Sequence, residues 1–184
     1  MSITSKLFLA ATIAGSLAWA GGAAANPAVG GAPMFASKNI IQNAVTSPVH
    51  KTLVAAVKAA GLVDALQGKG PFTVFAPDDS AFGMLPAGTV DTLVKPENKA
   101  TLTKILTYHV VPGRLTAKVL ARDIKAGGGK AELKTLEGET LTAMMDGSHI
   151  TLTDEKGGTS TVTIADVMQS NGVIHSVDHV LMPN

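Results

Sequence analysis

His175 and His179 stand four residues apart, the spacing at which two imidazoles on one helix face can grip a single metal ion. Their context argues against that use. Val173 to Met182 alternates with the period of a strand, and at about 3.3 Å per residue the two rings share a face about 13 Å apart. One ion with ligand bonds of about 2 Å cannot bridge that gap. His109 or His149 could add a ligand, but nothing in the sequence converges them. The chain has no cysteine, which removes thiolate metal sites and thiol catalysis. Neither a metal nor a cofactor is expected, and no residue is assigned a catalytic role.

Nucleophilic chemistry has little footing. No Gly-x-Ser-x-Gly elbow occurs, and Ser176 lies between His175 and Val177 on a regular strand rather than on a strained turn. Gly129-Lys130 resembles the end of a phosphate loop, but Ala131 replaces the hydroxyl residue and Ile124 the first glycine. The acids Asp78 and Asp79 are neighbours at a helix start, where capping suits them better than paired acid and base roles. Tyr108-His109 leads into Val110-Val111-Pro112-Gly113. Either the pair packs inward, with the histidine bonded to a carbonyl, or it belongs to a recognition surface.

These residues need elements to position them. Ser47 is expected to cap a helix with Pro48 at its first position, an apolar stripe at Leu53, Val54 and Val57, and a stop at Gly61. Phe72 to Phe75 reads as a short strand, with Asp78 capping a short helix through Phe82. Pro96 to Thr107 reads as a second amphipathic helix. The period then changes to two. Thr140–Met145 and Ser148–Thr153 flank Asp146-Gly147, a preferred hairpin turn, and Thr159–Ala165 and Val173–Met182 follow. Helices followed by an antiparallel meander predict an α+β domain.

The N-terminus reads as an export signal over residues 1–25, with Lys6 before an apolar stretch and small residues around cleavage positions after Ala20 or Ala25. The apolar run is shorter than the roughly 20 residues of a membrane span. Residues 26–34, rich in glycine, alanine and proline, read as a flexible leader, and residues 35–183 as one domain. Without Lys6 the 15 basic residues fall to 14, against 14 acids. A neutral chain with one tyrosine and four remaining phenylalanines offers nucleic acid neither a basic stripe nor a stacking platform.

Three segments carry a resemblance: Gly70-Pro-Phe-Thr-Val-Phe-Ala-Pro-Asp-Asp-Ser-Ala-Phe82, Leu106-Thr-Tyr-His-Val-Val-Pro-Gly113, and Asn171-Gly-Val-Ile-His-Ser-Val-Asp-His-Val-Leu-Met-Pro183. In this order and at these separations they resemble the signature of a fasciclin domain. The resemblance implies an antiparallel β-wedge or sandwich with helices packed around it, and a role in adhesion rather than catalysis. In such domains a tyrosine-histidine pair flanked by branched aliphatics is one proposed integrin-recognition motif, matched by Ile105 to Val111. The stretch Ile164-Ala165-Asp166-Val167-Met168 resembles an acidic-aliphatic adhesion sequence of animal members, with alanine for proline and valine for isoleucine. The resemblance therefore marks Tyr108, His109, Asp166, Val167 and Met168 as partner-binding residues. For Asp166 a turn or cap role remains open.

The expected protein is a secreted or periplasmic, non-enzymatic, monomeric module that contacts a cell-surface or matrix protein or glycan. One alternative is a periplasmic binder of a small apolar ligand, suggested by the apolar composition with seven methionines. Another is a hydrolase, which would require converging histidines and carboxylates.

Overall fold

A computed structural model describes residues 26–184; the export signal expected at residues 1–25 lies outside them. Short helices dominate the first half. Helix α1 spans Ile40–Ala44, opened by a reciprocal Asn39–Gln42 capping box. Helix α2 spans Lys51–Ala60 and ends at Gly61, which adopts the left-handed conformation (φ 73°) expected of a glycine stop. Its start corrects the sequence reading. The helix begins three residues later than Pro48, because the Ser47 hydroxyl bonds His50 Nδ1 at 2.9 Å instead of capping. The cap comes from elsewhere in the chain: Asp79 accepts from the Thr52 N–H at 2.8 Å and the Lys51 N–H at 3.4 Å.

Helix α3 (Val63–Gln67) leads to strand β1 (Phe72–Pro77), and Asp78 caps helix α4 (Asp79–Gly83) through the Ala81 N–H, as expected. The two neighbouring acids thus cap two different helices. Helix α5 (Thr89–Leu93) and a 3-10 turn at Pro96–Asn98 precede helix α6 (Lys99–Tyr108). Five-residue helices cannot hold themselves in water, so packing keeps α1, α3, α4 and α5 in place.

After β2 (Val110–Pro112) comes helix α7 (Ala117–Ala126), which is not among the expected elements. Thr116 caps it, and Leu120 and Ile124, four residues apart, bury one face. Strands β3 (Lys130–Lys134), β4 (Thr140–Asp146), β5 (His149–Thr153), β6 (Thr159–Gln169) and β7 (Gly172–Val177) follow. The hairpin at Asp146-Gly147 is as expected. Strand β7 stops at Val177 rather than at Met182, because side chains take over its ladder. Asp178 accepts from the Thr161 N–H, and the Ser160 hydroxyl bonds both the carbonyl and the N–H of His179. His179 is left exposed beyond the strand, so it shares no sheet face with His175.

The seven strands order as β2-β1-β7-β6-β5-β4-β3. Every pairing is antiparallel except β1 with β7, which is parallel and joins the first half of the chain to its last strand. The sheet curls into a near-barrel, and the Leu136 N–H beyond β3 reaches the Val110 carbonyl of β2 at 2.7 Å. Side chains alternate across it. Val74, Ala76 and Ile174 face a core shared with α1, α2 and α6. Phe75, Leu141, Leu152 and Val177 face a second core inside the curl, closed by Leu120 and Ile124 of α7.

Residues 26–34 are packed against this body, contrary to the expected flexible leader. Asn26 pairs with Met168 in both directions, donating to its carbonyl at 2.7 Å and accepting from its N–H at 2.9 Å. Val29 and Met34 are buried in the first core. Buried apolar side chains and one amide thus dock a segment whose average composition suggests disorder.

Candidate functional site

Helix α6 ends by turning Tyr108 and His109 inward. Tyr108 is fully buried in the second core, and its hydroxyl donates to the Thr140 carbonyl at 3.0 Å. His109 is 2% exposed. Its Nδ1 meets the Ile105 carbonyl at 2.9 Å and its Nε2 faces the Leu181 N–H at 3.0 Å. A ring that donates at Nδ1 and accepts at Nε2 is neutral. Burial drives its pKa down to about 4, against smaller opposing effects of the Ile105 carbonyl and Asp154. His109 ties the α6 exit to the C-terminal segment at Leu181, and Tyr108 ties it to β4. The burial of the pair corrects the expectation that it lies near a contact surface, because neither ring reaches solvent.

The second marked stretch is equally engaged. Asp166 sits at an irregularity in the β6–β7 register with φ 59°, a left-handed conformation that aspartate tolerates better than most residues. Its carboxylate accepts from the Ala117 N–H at 2.7 Å and so caps α7 from outside. Its own N–H donates to His175 Nδ1 at 3.3 Å. Of the two roles left open for Asp166, the geometry places it in the cap. Val167 is 1% exposed and cannot touch a partner; Met168 is half-buried with its backbone taken by Asn26.

Asp166→Ala should therefore cost about 2 kcal/mol, losing the cap and straining the backbone. Asp166→Asn should cost less than half of that, since it keeps an oxygen acceptor and the tolerated backbone. Urea unfolding of both variants checks this, and equal losses would exclude the backbone contribution.

A polar cluster that the sequence reading missed lies between α2 and the sheet. His50 Nδ1 meets the Ser47 hydroxyl, and Nε2 lies 3.3 Å from both the Ala76 carbonyl and the Ser176 hydroxyl. The Ala76 carbonyl can only accept, so the proton sits on Nε2. Such an imidazole cannot take a proton from Ser176. All three side chains are buried, and burial holds the His50 pKa below its ordinary value. The available signal was Ser47-x-x-His50 itself, a hydroxyl three residues ahead of a histidine at a helix start.

His175 is also buried and neutral, donating from Nε2 to the Leu115 carbonyl at 2.7 Å and stacked on Phe75. Burial again lowers its pKa. Among the described residues, no three His, Asp or Glu side chains converge as metal ligands, and no helix is long and apolar enough to cross a membrane.

Beside His50 lies an aliphatic cavity of about 50 Å³, lined by Val29, Met34, Ile40, Val57, Val74 and Ile174 among others. On the outside, the β4–β5 hairpin tip carries Met144 and Met145, 43% and 39% exposed. Neighbouring strand residues point to opposite faces, so exposure of both means the tip projects past the body. Residues 144–149 are all exposed.

Comparison with known proteins fits this architecture. The fasciclin domain model matches residues 48–183. Protein sll1483 of Synechocystis is 49% identical over 144 residues, which is 78% of this chain and 73% of that protein. Immunogenic protein MPB70 of Mycobacterium bovis is 34% identical over 168 residues, 88% of this chain and 78% of that one. The transforming growth factor-beta-induced protein ig-h3 of Sus scrofa is 37% identical over 131 residues, 71% of this chain but 17% of its own length. A FAS1 domain pair from the insect cell adhesion molecule fasciclin I superposes with a TM-score of 0.70 at 18% identity. That alignment covers 79% of this chain and about half (51%) of the pair, and it speaks to the fold alone. With residues 48–183 matched by its model, the chain belongs to the fasciclin domain family.

Proposed function

We propose that this protein is an exported, non-enzymatic interaction module that contacts a cell-surface or matrix protein or glycan through the β4–β5 hairpin tip. The observation that carries this reading is where the chain uses its reactive groups. His50, His109, His175 and Asp166 are all held in structural bonds, whereas two methionines project at the tip. Methionine is flexible and polarizable and suits adaptable contacts, which favours a protein partner over a glycan. Membership of the fasciclin domain family supports a contact role, and the short apolar stretch behind Lys6 supports export.

The test is retention of labelled protein, from residue 26 onward, by whole cells or extracellular matrix of its own environment. Retention should fall at least tenfold for Met144→Lys/Met145→Lys with unfolding behaviour unchanged. Unaltered retention of this variant would move the contact off the tip. Failure of both proteins to be retained would overturn the contact role.

A further inference from the structure

The cavity beside His50 has no part in the contact role above, and the inference drawn from it stands independently. Its walls come from two sources. Residues 26–47 supply Val29, Met34 and Ile40, while α2 and the sheet supply Val57, Val74 and Ile174. The family match begins at residue 48, so one wall belongs to a segment outside it.

The lining is aliphatic apart from Phe75, Ser47, His50, His109 and Lys58. No buried side-chain polar atom among the described residues lacks a partner. A water inside would thus satisfy no orphaned polar group, and the aliphatic walls favour an apolar occupant. Size narrows the class. A cavity of about 150 Å³ holds benzene, so this one, with about 50 Å³, takes the end of a linear chain and not a ring.

The mouth opens where Ile41 and Ala44 of α1, Val54 of α2 and Val63 of α3 are half-exposed. Lys58 is the one charged residue in the lining, exposed, and without an ion pair among the described residues. It stands in the last turn of α2, where a cation favours the helix dipole. A lone ammonium on the lining of an aliphatic hole also complements an anion with an alkyl tail. We propose that this cavity binds the aliphatic end of a short-chain carboxylate, with the carboxylate held at Lys58 Nζ.

Hexanoate and the neutral 1-pentanol, titrated into the methyl-labelled full chain and followed by NMR, test this. Saturable shifts are expected at Val57, Val74 and Ile174 with both probes. Lys58→Met should weaken hexanoate about fivefold, the weight of one partly exposed ion pair, and leave pentanol unchanged. Ala44→Leu, which narrows a half-exposed part of the mouth without breaking the helix, should abolish both. Equal hexanoate binding by Lys58→Met and the parent would remove the carboxylate from the proposal. Shifts confined to surface residues, or no saturation up to the solubility of either probe, would overturn the site.

Discussion

Replacing Tyr108 with alanine is expected to destabilise the protein by about 3–5 kcal/mol, the range for emptying a fully buried aromatic site. Against a total stability of roughly 5–15 kcal/mol, that loss leaves the fold marginal, and it lowers the melting temperature by on the order of 10 °C. Tyr108→Phe separates the ring from its hydroxyl: it keeps the packing and gives up the bond to the Thr140 carbonyl, costing about 1 kcal/mol. Guanidinium unfolding of both variants measures the two losses. The comparison also decides what the tyrosine-histidine pair does. A ring that is fully buried must lower stability before it can affect contact, so any loss of retention by Tyr108→Ala should track its unfolded fraction. A folded Tyr108→Ala protein within 1 kcal/mol of the parent, yet no longer retained by cells, would place the pair at a partner surface after all.

The same burial explains which parts of this protein were legible in its sequence. Elements with local signals were readable: the Gly61 stop, the Asp78 cap and the Asp146-Gly147 hairpin each depend on residues within one turn of each other. Helix α7 carries such signals too, in Thr116, the Leu120–Ile124 pair and Gly127. The start of α2 was not readable locally, because its cap comes from Asp79, 27 residues beyond its partner Thr52. The flexible leader failed for a related reason. Composition averages over residues 26–34, whereas docking rests on particular residues, Asn26, Val29 and Met34 among them.

The motif residues show a deeper limit. Strand β7 is buried on both faces along its whole length, so alternation carries no information about which side chain meets solvent. Asn171 looks like a surface amide in the sequence. In the fold it bonds the Ile40 N–H and the Leu66 and Gly68 carbonyls, tying α1 and α3 to the sheet. Gly172 is required beside it, since a Cβ there would lie 2.0 Å from the Phe72 carbonyl oxygen. The Asn-Gly-Val-Ile-His run that carries the resemblance is thus a set of residues that build this fold. Asp166 follows the same logic, capping a helix 49 residues earlier in the chain. A recognizable motif thus located the architecture, while its Tyr108, His109 and Val167 are buried and the exposed Met144 and Met145 belong to none of the motifs.

Three histidines buried in neutral form make acid sensitivity the other large expected effect. His109 has its pKa lowered to about 4 by burial, from 6.5. Unfolded chains therefore bind a proton between these values that the folded protein refuses, and stability rises with pH there. As pH falls from 6.5 to 4, His109 alone should remove about 3 kcal/mol. His50 and His175 are shifted in the same direction, also by burial, despite Asp78 and Asp79 near the first and Asp166 near the second. Their losses add to the same window. The carboxylates whose pKa is lowered, Glu139 chiefly through the Asn184 N–H and Asp178 where burial is outweighed by His179, the Thr161 N–H and Ser160 together, act below the ordinary carboxylate range and so at more acid pH. Urea midpoints between pH 7 and 4.5 should fall steeply, with an apparent uptake of more than one proton on unfolding. His109→Gln should start less stable, having lost its bond to Leu181, yet show a shallower slope. A parent protein with flat stability across this window would mean that the histidines are not buried neutral in solution, and would undo the assignment of Tyr108-His109 to the core.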